Sequence, residues 1–248
     1  MRLRGPAVTM RELHLFAGIG GGILAGKLLG HRCVGAVEIN AYCRQVLEAR
    51  QREGILESFP IHEDVCTFDG KPWRGKVDVV CGGFPCTPWS TAGKRLGTAD
   101  PRHLWPEMAR IIAEVRPAYV FAENVSLAAF EQPWRDLRGM GYRVPPALEL
   151  SPADLGGSQS RDRWWLLASR GDDESKRLVA QYAAASGACE DALSGWEAVT
   201  WWGSGCISPP LDGPADRMGG SRAVGNAQVP AVAAAAFRIL LEREMSSR

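Results

Sequence analysis

The residues best suited to chemistry in this sequence lie where strands should end. Val77-Asp78-Val79-Val80-Cys81 runs straight into Gly82-Gly83-Phe84-Pro85-Cys86-Thr87-Pro88-Trp89-Ser90. A buried strand is thus followed by a stiff turn with two prolines, holding the Cys86 thiol at the carboxyl end of a sheet, where open α/β sheets bind their ligands. A thiol in such a place is a candidate nucleophile. The six other cysteines, at 33, 43, 66, 81, 189 and 206, sit in apolar or strand-like contexts and read as small packing residues. None forms a C-x-x-C pair, so neither a metal site nor a disulfide framework is expected.

A second constellation precedes the first. Leu15-Phe16-Ala17-Gly18-Ile19-Gly20-Gly21-Gly22 lies between an expected strand and an expected helix. Glycines there let the backbone turn tightly and approach a ligand with no side chain in the way. Glu38 follows Gly18 by 20 residues, at the end of the next strand, where a carboxylate can accept hydrogen bonds from both ribose hydroxyls of a nucleoside cofactor. Asp64, at the end of the strand after that, could take the exocyclic amine of an adenine. The glycines do not complete G-x-G-x-x-G, and no Lys-Ser/Thr pair follows as a phosphate loop requires. That pattern favours a cofactor without a pyrophosphate.

The elements that must position these groups alternate between short apolar runs and segments of helical period, as in a parallel sheet with crossover helices. Strands are predicted at Leu13 to Phe16, Cys33 to Val37, near Ile61 and ending at Asp64, Val77 to Cys81, and Tyr119 to Ala122, followed by Arg143 to Leu150 and Trp164 to Ala168. Helices are predicted from about Ile23 to Leu29, over Ala41 to Glu53, and from Leu104 to Val115, the last closed by Arg116-Pro117. From Gly171 to about Asp216 the pattern breaks: Ala, Gly, Ser, acidic residues and three of the nine tryptophans follow no clear period. It returns in a helix from Val229 to Glu242, opened by Pro230. The expected architecture is a Rossmann-like, mostly parallel α/β sheet with a small insert.

Composition is that of a globular protein, with 46% hydrophobic and 23% charged residues over 248 positions. No run approaches the roughly 18 to 20 apolar residues that cross a bilayer, so membrane partners are not expected and the reading is cytoplasmic. The formal net charge of +1 gives no support to a polyanion partner, so any such partner must be met by local clusters of Lys and Arg.

GGFPCTPWS resembles the Pro-Cys motif of the cytosine-5 DNA methyltransferases, and the family's other motifs stand in its order: LFAGIGG, VEIN and EDV before it, AENV, QSRDR and GNAQVP after it. The resemblance runs from about Leu13 to Leu240 and misses only the insert. It implies an S-adenosylmethionine-dependent enzyme of that methyltransferase fold, without a metal, acting on double-stranded DNA as a monomer of prokaryotic or viral origin. Carbon 5 of cytosine is too poor a nucleophile to attack a methyl sulfonium directly; a thiolate adding to carbon 6 makes an enamine that can. The resemblance makes Cys86 that thiolate and Glu123 the carboxyl group that meets ring nitrogen 3. It gives Arg163 the cytosine O2, and Arg161 a phosphate contact or a supporting role. Asn124 would shape the turn and fix the neighbouring loop. Phe16, Ala17, Gly18, Gly20, Gly21, Glu38, Ile39, Asp64, Val65, Pro85 and Asn226 would line the cofactor pocket, with the Gly-Asn turn of the last motif beside the glycine loop. Ser90, Lys94, Arg95 and Arg102 would lie in a loop that closes over a base turned out of the duplex.

Three departures from the family pattern stand out. Thr87 replaces a frequent glutamine after the cysteine. Ile39 follows the ribose-binding acid where an aromatic is common, leaving more of the adenine packing to Phe16. Only about 50 residues separate the WWLLA strand from the last motif, where the family usually has a much longer recognition region. The division is then 1–170 for cofactor and catalysis, 171–221 for a small target-recognition region, and 222–248 for the returning motif and helix. So small a reader implies a short or degenerate target, or help from an accessory partner. The alternatives are weaker. An RNA (tRNA) methyltransferase would carry Cys-Phe-Thr between Gly171 and Arg222, which is missing. A non-catalytic binding module has no use for Cys86, Glu123 and Arg163 together. A nicotinamide dehydrogenase leaves FPC, ENV and QSRDR unexplained.

Overall fold

A computed structural model of the chain describes residues 9–85, 103–186 and 227–246. Among these residues the sheet has seven strands: β1 (Arg11–Leu15), β2 (Arg32–Val37), β3 (Ile61–His62), β4 (Val79–Gly82), β5 (Tyr119–Asn124), β6 (Leu148–Leu150) and β7 (Arg163–Ser169). Their order is β3-β2-β1-β4-β5-β7-β6. The first five strands are parallel, whereas β7 runs antiparallel to both β5 and β6. The strand order reverses at β1, between β2 and β4, so the glycine turn and the Pro-Cys turn leave the sheet side by side at its switch point.

Alternation along the strands decides which face each side chain serves. Val80, Val120, Ala122, Leu166 and Ala168 point to one side, where they pack with Met108, Ile111 and Ile112 of helix α3 (Trp105–Val115) and Leu137 of α4 (Glu131–Gly139). Val79, Cys81, Tyr119, Phe121, Trp165 and Leu167 point to the other. There they meet Leu178 and Val179 of α5 (Asp173–Ser186) and Ala233, Phe237 and Leu240 of α6 (Pro230–Ser246). Helices α1 (Gly21–Leu28) and α2 (Ala41–Arg52) complete the layers. Local chemistry fixes their ends. Asn40 caps α2 by accepting from the amides of Tyr42 and Cys43 at 2.9 and 3.3 Å. Arg116, in the left-handed region at φ 52°, ends α3 just before Pro117.

Four expectations need correction. The third strand stops at His62 rather than reaching Asp64. The strand expected from Arg143 shrinks to Leu148–Leu150 plus a single bridge between Arg143 and Ser169, because Pro145 and Pro146 offer no amide to a ladder. Helix α4 was not expected. Nor was α5, which lies within the stretch after Arg170 whose residues follow no clear period. Asp172 caps α5, accepting from the amide and hydroxyl of Ser175 at 2.9 and 2.8 Å, and the Tyr119 hydroxyl donates to the Ser175 carbonyl at 2.8 Å.

The β1 face toward α1 and α6 carries polar groups in the interior. Glu12 is 2% exposed. Its carboxylate is paired with His14 Nε2 at 2.9 Å and His31 Nδ1 at 2.7 Å, and Gly26 of α1 leaves the space it fills. Burial alone would raise the Glu12 pKa, but the charge and hydrogen bonds of His31 and His14 prevail and hold it at about 2, against an ordinary 4.5. A depressed folded pKa contributes stability above the unfolded value that is lost as pH falls through the folded one. Glu12→Gln should therefore cost about 3 kcal/mol near neutral pH, and the gap from wild type should narrow between pH 4.5 and 2. Urea unfolding across that range measures both.

Candidate active site

The cofactor side of the site begins at the end of β1. Phe16 takes φ 55°, a backbone region bulky residues rarely adopt, and such strain gathers at functional sites. Gly18 and Gly20 follow at φ 54° and 92°, and the Ala17 amide donates to the Val37 carbonyl at 3.1 Å. The turn thereby brings the Gly18 amide to Glu38 Oε2 at 2.6 Å, while the Asn40 amide donates to Oε1 at 2.8 Å. Glu38 is buried and anchored through both oxygens, each of which keeps a further lone pair. Ile39 beside it is 69% exposed, and Phe16 is half-buried against the core. Asp64 is half-buried and accepts from the Cys66 amide at 2.8 Å. Val65 turns its side chain into the core, and its carbonyl accepts from Arg110 at 2.7 Å.

The chain entering α6 crosses this region. Ala227 packs with Ile19, Cys43 and Val46. A Cβ on Gly21 would run into the Gln228 carbonyl, so the first turn of α1 must be side-chain-free there. The last motif thus does lie beside the glycine loop, as its described residues 227 and 228 demonstrate.

The chemical side is built from β5 and β7. Glu123 and Asn124 are successive residues and point to opposite faces. Asn124, buried, donates to the Phe84 carbonyl at 3.1 Å and accepts from the Val125 amide at 2.8 Å. Phe84 is clamped edge-on by Trp105 and Phe130, with ring centroids 5.3 and 5.9 Å away. The expected role of Asn124 is therefore observed: it ties the end of β5 to the Pro-Cys turn, whose last described residue is Pro85. Glu123, its side chain 12% exposed, pairs through Oε1 with Arg163 Nε at 3.0 Å. Burial pushes its pKa up, and Arg163, a hydrogen bond from Gln228 and the charge of Arg161 pull against that rise. Arg161 donates to the Ala227 carbonyl at 2.8 Å, joining the QSRDR loop to the last motif. Burial and the neighbouring Arg163 lower its own pKa.

The structure thus brings Glu123, Arg161 and Arg163 together, with Gln228 between Glu123 and the first turn of α1. Cys86, Ser90, Lys94, Arg95, Arg102 and Asn226 lie outside the described residues. Gln228 was missed, although it stands within GNAQVP. Its signal was an uncharged hydrogen-bonding side chain between apolar residues of a motif. Among the described residues, one group of possible metal ligands occurs, Glu12, His14 and Cys81, with ligand atoms within 4.8 Å of one another; the two oxygens of Glu12 are already taken by imidazoles.

Comparison with known proteins decides the family. The pattern of the C-5 cytosine-specific DNA methylases matches residues 10–192. The chain belongs to that family. It is similar to the Type II methyltransferase M.Eco47II of Escherichia coli, 34% identical over 64% of this chain and 39% of that protein. It is also similar to M.NgoMIV of Neisseria gonorrhoeae, 36% identical over 65% and 52%, and to M.HhaI of Haemophilus parahaemolyticus, 31% identical over 66% and 50%. The chain thus spans about half the length, or less, of the curated relatives it matches. In fold it resembles a DNMT2 mutant of Spodoptera frugiperda, with TM-score 0.53 and 23% identity over 66% of this chain and 51% of that one. The Entamoeba histolytica methyltransferase EhMeth gives TM-score 0.53 and 18% identity over 66% and 54%.

The tie between Asn124 and Phe84 yields a direct test. Asn124→Ala leaves the Phe84 carbonyl without its donor and should lower stability by about 1–3 kcal/mol, read as an earlier midpoint in urea with an unchanged slope.

Proposed function

We propose that this methylase-family chain transfers a methyl group from S-adenosylmethionine to carbon 5 of cytosine in DNA, through a covalent adduct of Cys86 with a base turned out of the duplex. The observation that carries this reading is the placement of Glu123. It is a largely buried carboxyl group with a raised pKa, paired with Arg163, in the strand next to the one that leads into Cys86. Family membership supports the same chemistry.

The cofactor, when bound, supplies an electrophilic methyl group. The cup fits it: Glu38 has lone pairs to spare for ribose hydroxyls, Asp64 stands two residues past β3, and Ile39 offers an exposed apolar surface to an adenine face. Cys86 adds to carbon 6 of the cytosine, and the ring electrons move toward nitrogen 3. There a protonated Glu123 donates its hydrogen bond or proton, for which a pKa above the ordinary carboxylate range is the right direction. Arg163 holds Glu123 and fixes the ring through O2. After methylation the carbon 5 proton leaves to a base, and the electrons left behind expel the Cys86 thiolate. Residues 171–221, whose helix α5 packs on the sheet, read the target, with Ser90, Lys94, Arg95 and Arg102 on the DNA backbone.

Purified protein with labelled S-adenosylmethionine should methylate cytosine-rich duplex DNA. Cys86→Ala should abolish transfer, and Glu123→Gln should slow it by at least about 100-fold. Duplex containing 5-fluorocytosine should be trapped covalently, because fluorine at carbon 5 cannot leave as a proton does. Absence of both transfer and trapping by the wild type would overturn the reading.

A further inference from the structure

The described residues place one polar side chain between the two halves of the site, and the expected chemistry gives it no role. Gln228 lies in the segment that enters α6, and three glycines make room for it. Its carbonyl occupies the position of a Gly21 side chain. Its Oε1 lies 2.6 Å from the point that a Cβ on Gly22 would take. Its Nε2 lies 3.4 Å from the corresponding point at Gly83, where Glu123 Oε2 also stands, at 2.7 Å. The amide therefore threads between the first turn of α1 and the loop after β4, and its donor end meets Glu123.

We propose that Gln228 is a positioning residue, which fixes the aim of the Glu123 carboxyl from the cofactor side of the site. Arg163 approaches Glu123 at Oε1, and the Gln228 donor stands on the Oε2 side. With Arg163 alone, the carboxyl group could turn about its terminal torsion, which is broad for an sp³–sp² bond. A second donor at the opposite oxygen removes that freedom. The Gln228 backbone carbonyl and its side-chain Oε1 fill the spaces that Cβ atoms on Gly21 and Gly22 would take, which limits how the residue can move. The cofactor loop and the carboxyl group are in this way referenced to one residue. The groups facing Glu123 are Arg163 of β7, Arg161 from the loop before it, and Gln228 before α6. Of these only Gln228 is uncharged, so its loss alters aim and hydrogen bonding without changing the net charge.

This inference rests on the reading of Glu123 as the group that meets the cytosine ring. Gln228→Met in the full chain keeps length and bulk but removes the donor. The expected result is a fall of about tenfold in kcat, with the KM for S-adenosylmethionine within about threefold. Gln228→Asn, one carbon short of Glu123, should not restore the rate. Carbon-13 NMR titration of the Glu123 carboxyl in DNA-free protein gives a readout independent of turnover. Its midpoint should rise by about 0.5–1 pH unit in Gln228→Met, since a donor favouring the anion is lost. A raised midpoint in a chain that transfers no methyl group would uphold the contact and sink the proposed reaction instead. An unchanged midpoint in both variants, or a kcat that falls only in step with melting temperature and cofactor affinity, would overturn the positioning role. Should Gln228→Met not fold, Gln228→Leu and Gln228→Asn carry the same comparison.

Discussion

The arrangement of the site depends on the pleat at the end of β5. Successive residues of a strand point to opposite faces, and here the two that matter are Glu123 and Asn124. One faces the α6 side, where Arg163 and Gln228 meet it. The other faces the α3 side, where it grips the carbonyl of Phe84. A slip of one residue would exchange them, setting an amide against Arg163 and a carboxylate against a carbonyl. The register is protected by burial on both faces, with Val120 and Ala122 in one core and Tyr119 and Phe121 in the other. The carboxyl group and the loop that presents the cysteine are therefore set by the same few ångströms of backbone.

Three carboxylates near the glycine loop illustrate how environment assigns work to one functional group. Glu12 takes two imidazoles, and its pKa is pressed down to about 2. It serves packing between β1 and α1. Glu38 is held by two backbone amides and keeps lone pairs for a ligand. For Glu123 burial outweighs the pull of Arg163, Gln228 and Arg161, so its pKa rises. A group left under-compensated in this way is ready to hold a proton, as a general acid must be.

Much of the fold was legible in the sequence. The apolar runs of β1, β2, β4, β5 and β7 fell within two residues of their observed bounds, because both faces of a mostly parallel sheet are buried and its strands read as continuous apolar segments. Glu38 stood out as a carboxylate at the end of such a run, whereas Glu123, Arg161 and Arg163 were singled out by the resemblance of AENV and QSRDR to the family's motifs. What escaped detection has physical causes. Among its described residues, helix α5 buries Ser175, Leu178, Val179 and Tyr182 amid Lys, Arg, Gln and Ala, so its apolar period is faint. Strand β6 is short because two prolines precede it. Gln228 could not be assigned because its role is defined by three glycines distant in sequence, and spacing along one segment carries no information about that.

Those glycines change the meaning of the LFAGIGGG loop. In the sequence they suggest a tight turn and a close approach to a cofactor. Gly18 and Gly20 do make the turn, with positive φ. Gly21 and Gly22 belong to the helix start and act by absence, clearing space for the main chain and amide of Gln228, while Gly83 clears the space shared by Gln228 and Glu123. A glycine inside a helix costs roughly 0.5–1 kcal/mol relative to alanine, so its presence in the first turn of α1 must be offset by what it admits. Here it admits the segment that links the glycine loop to Glu123. The glycine loop is thus as much a socket for the returning chain as a cradle for a ligand, and the two ends of the sequence are joined at the point where the chemistry is expected.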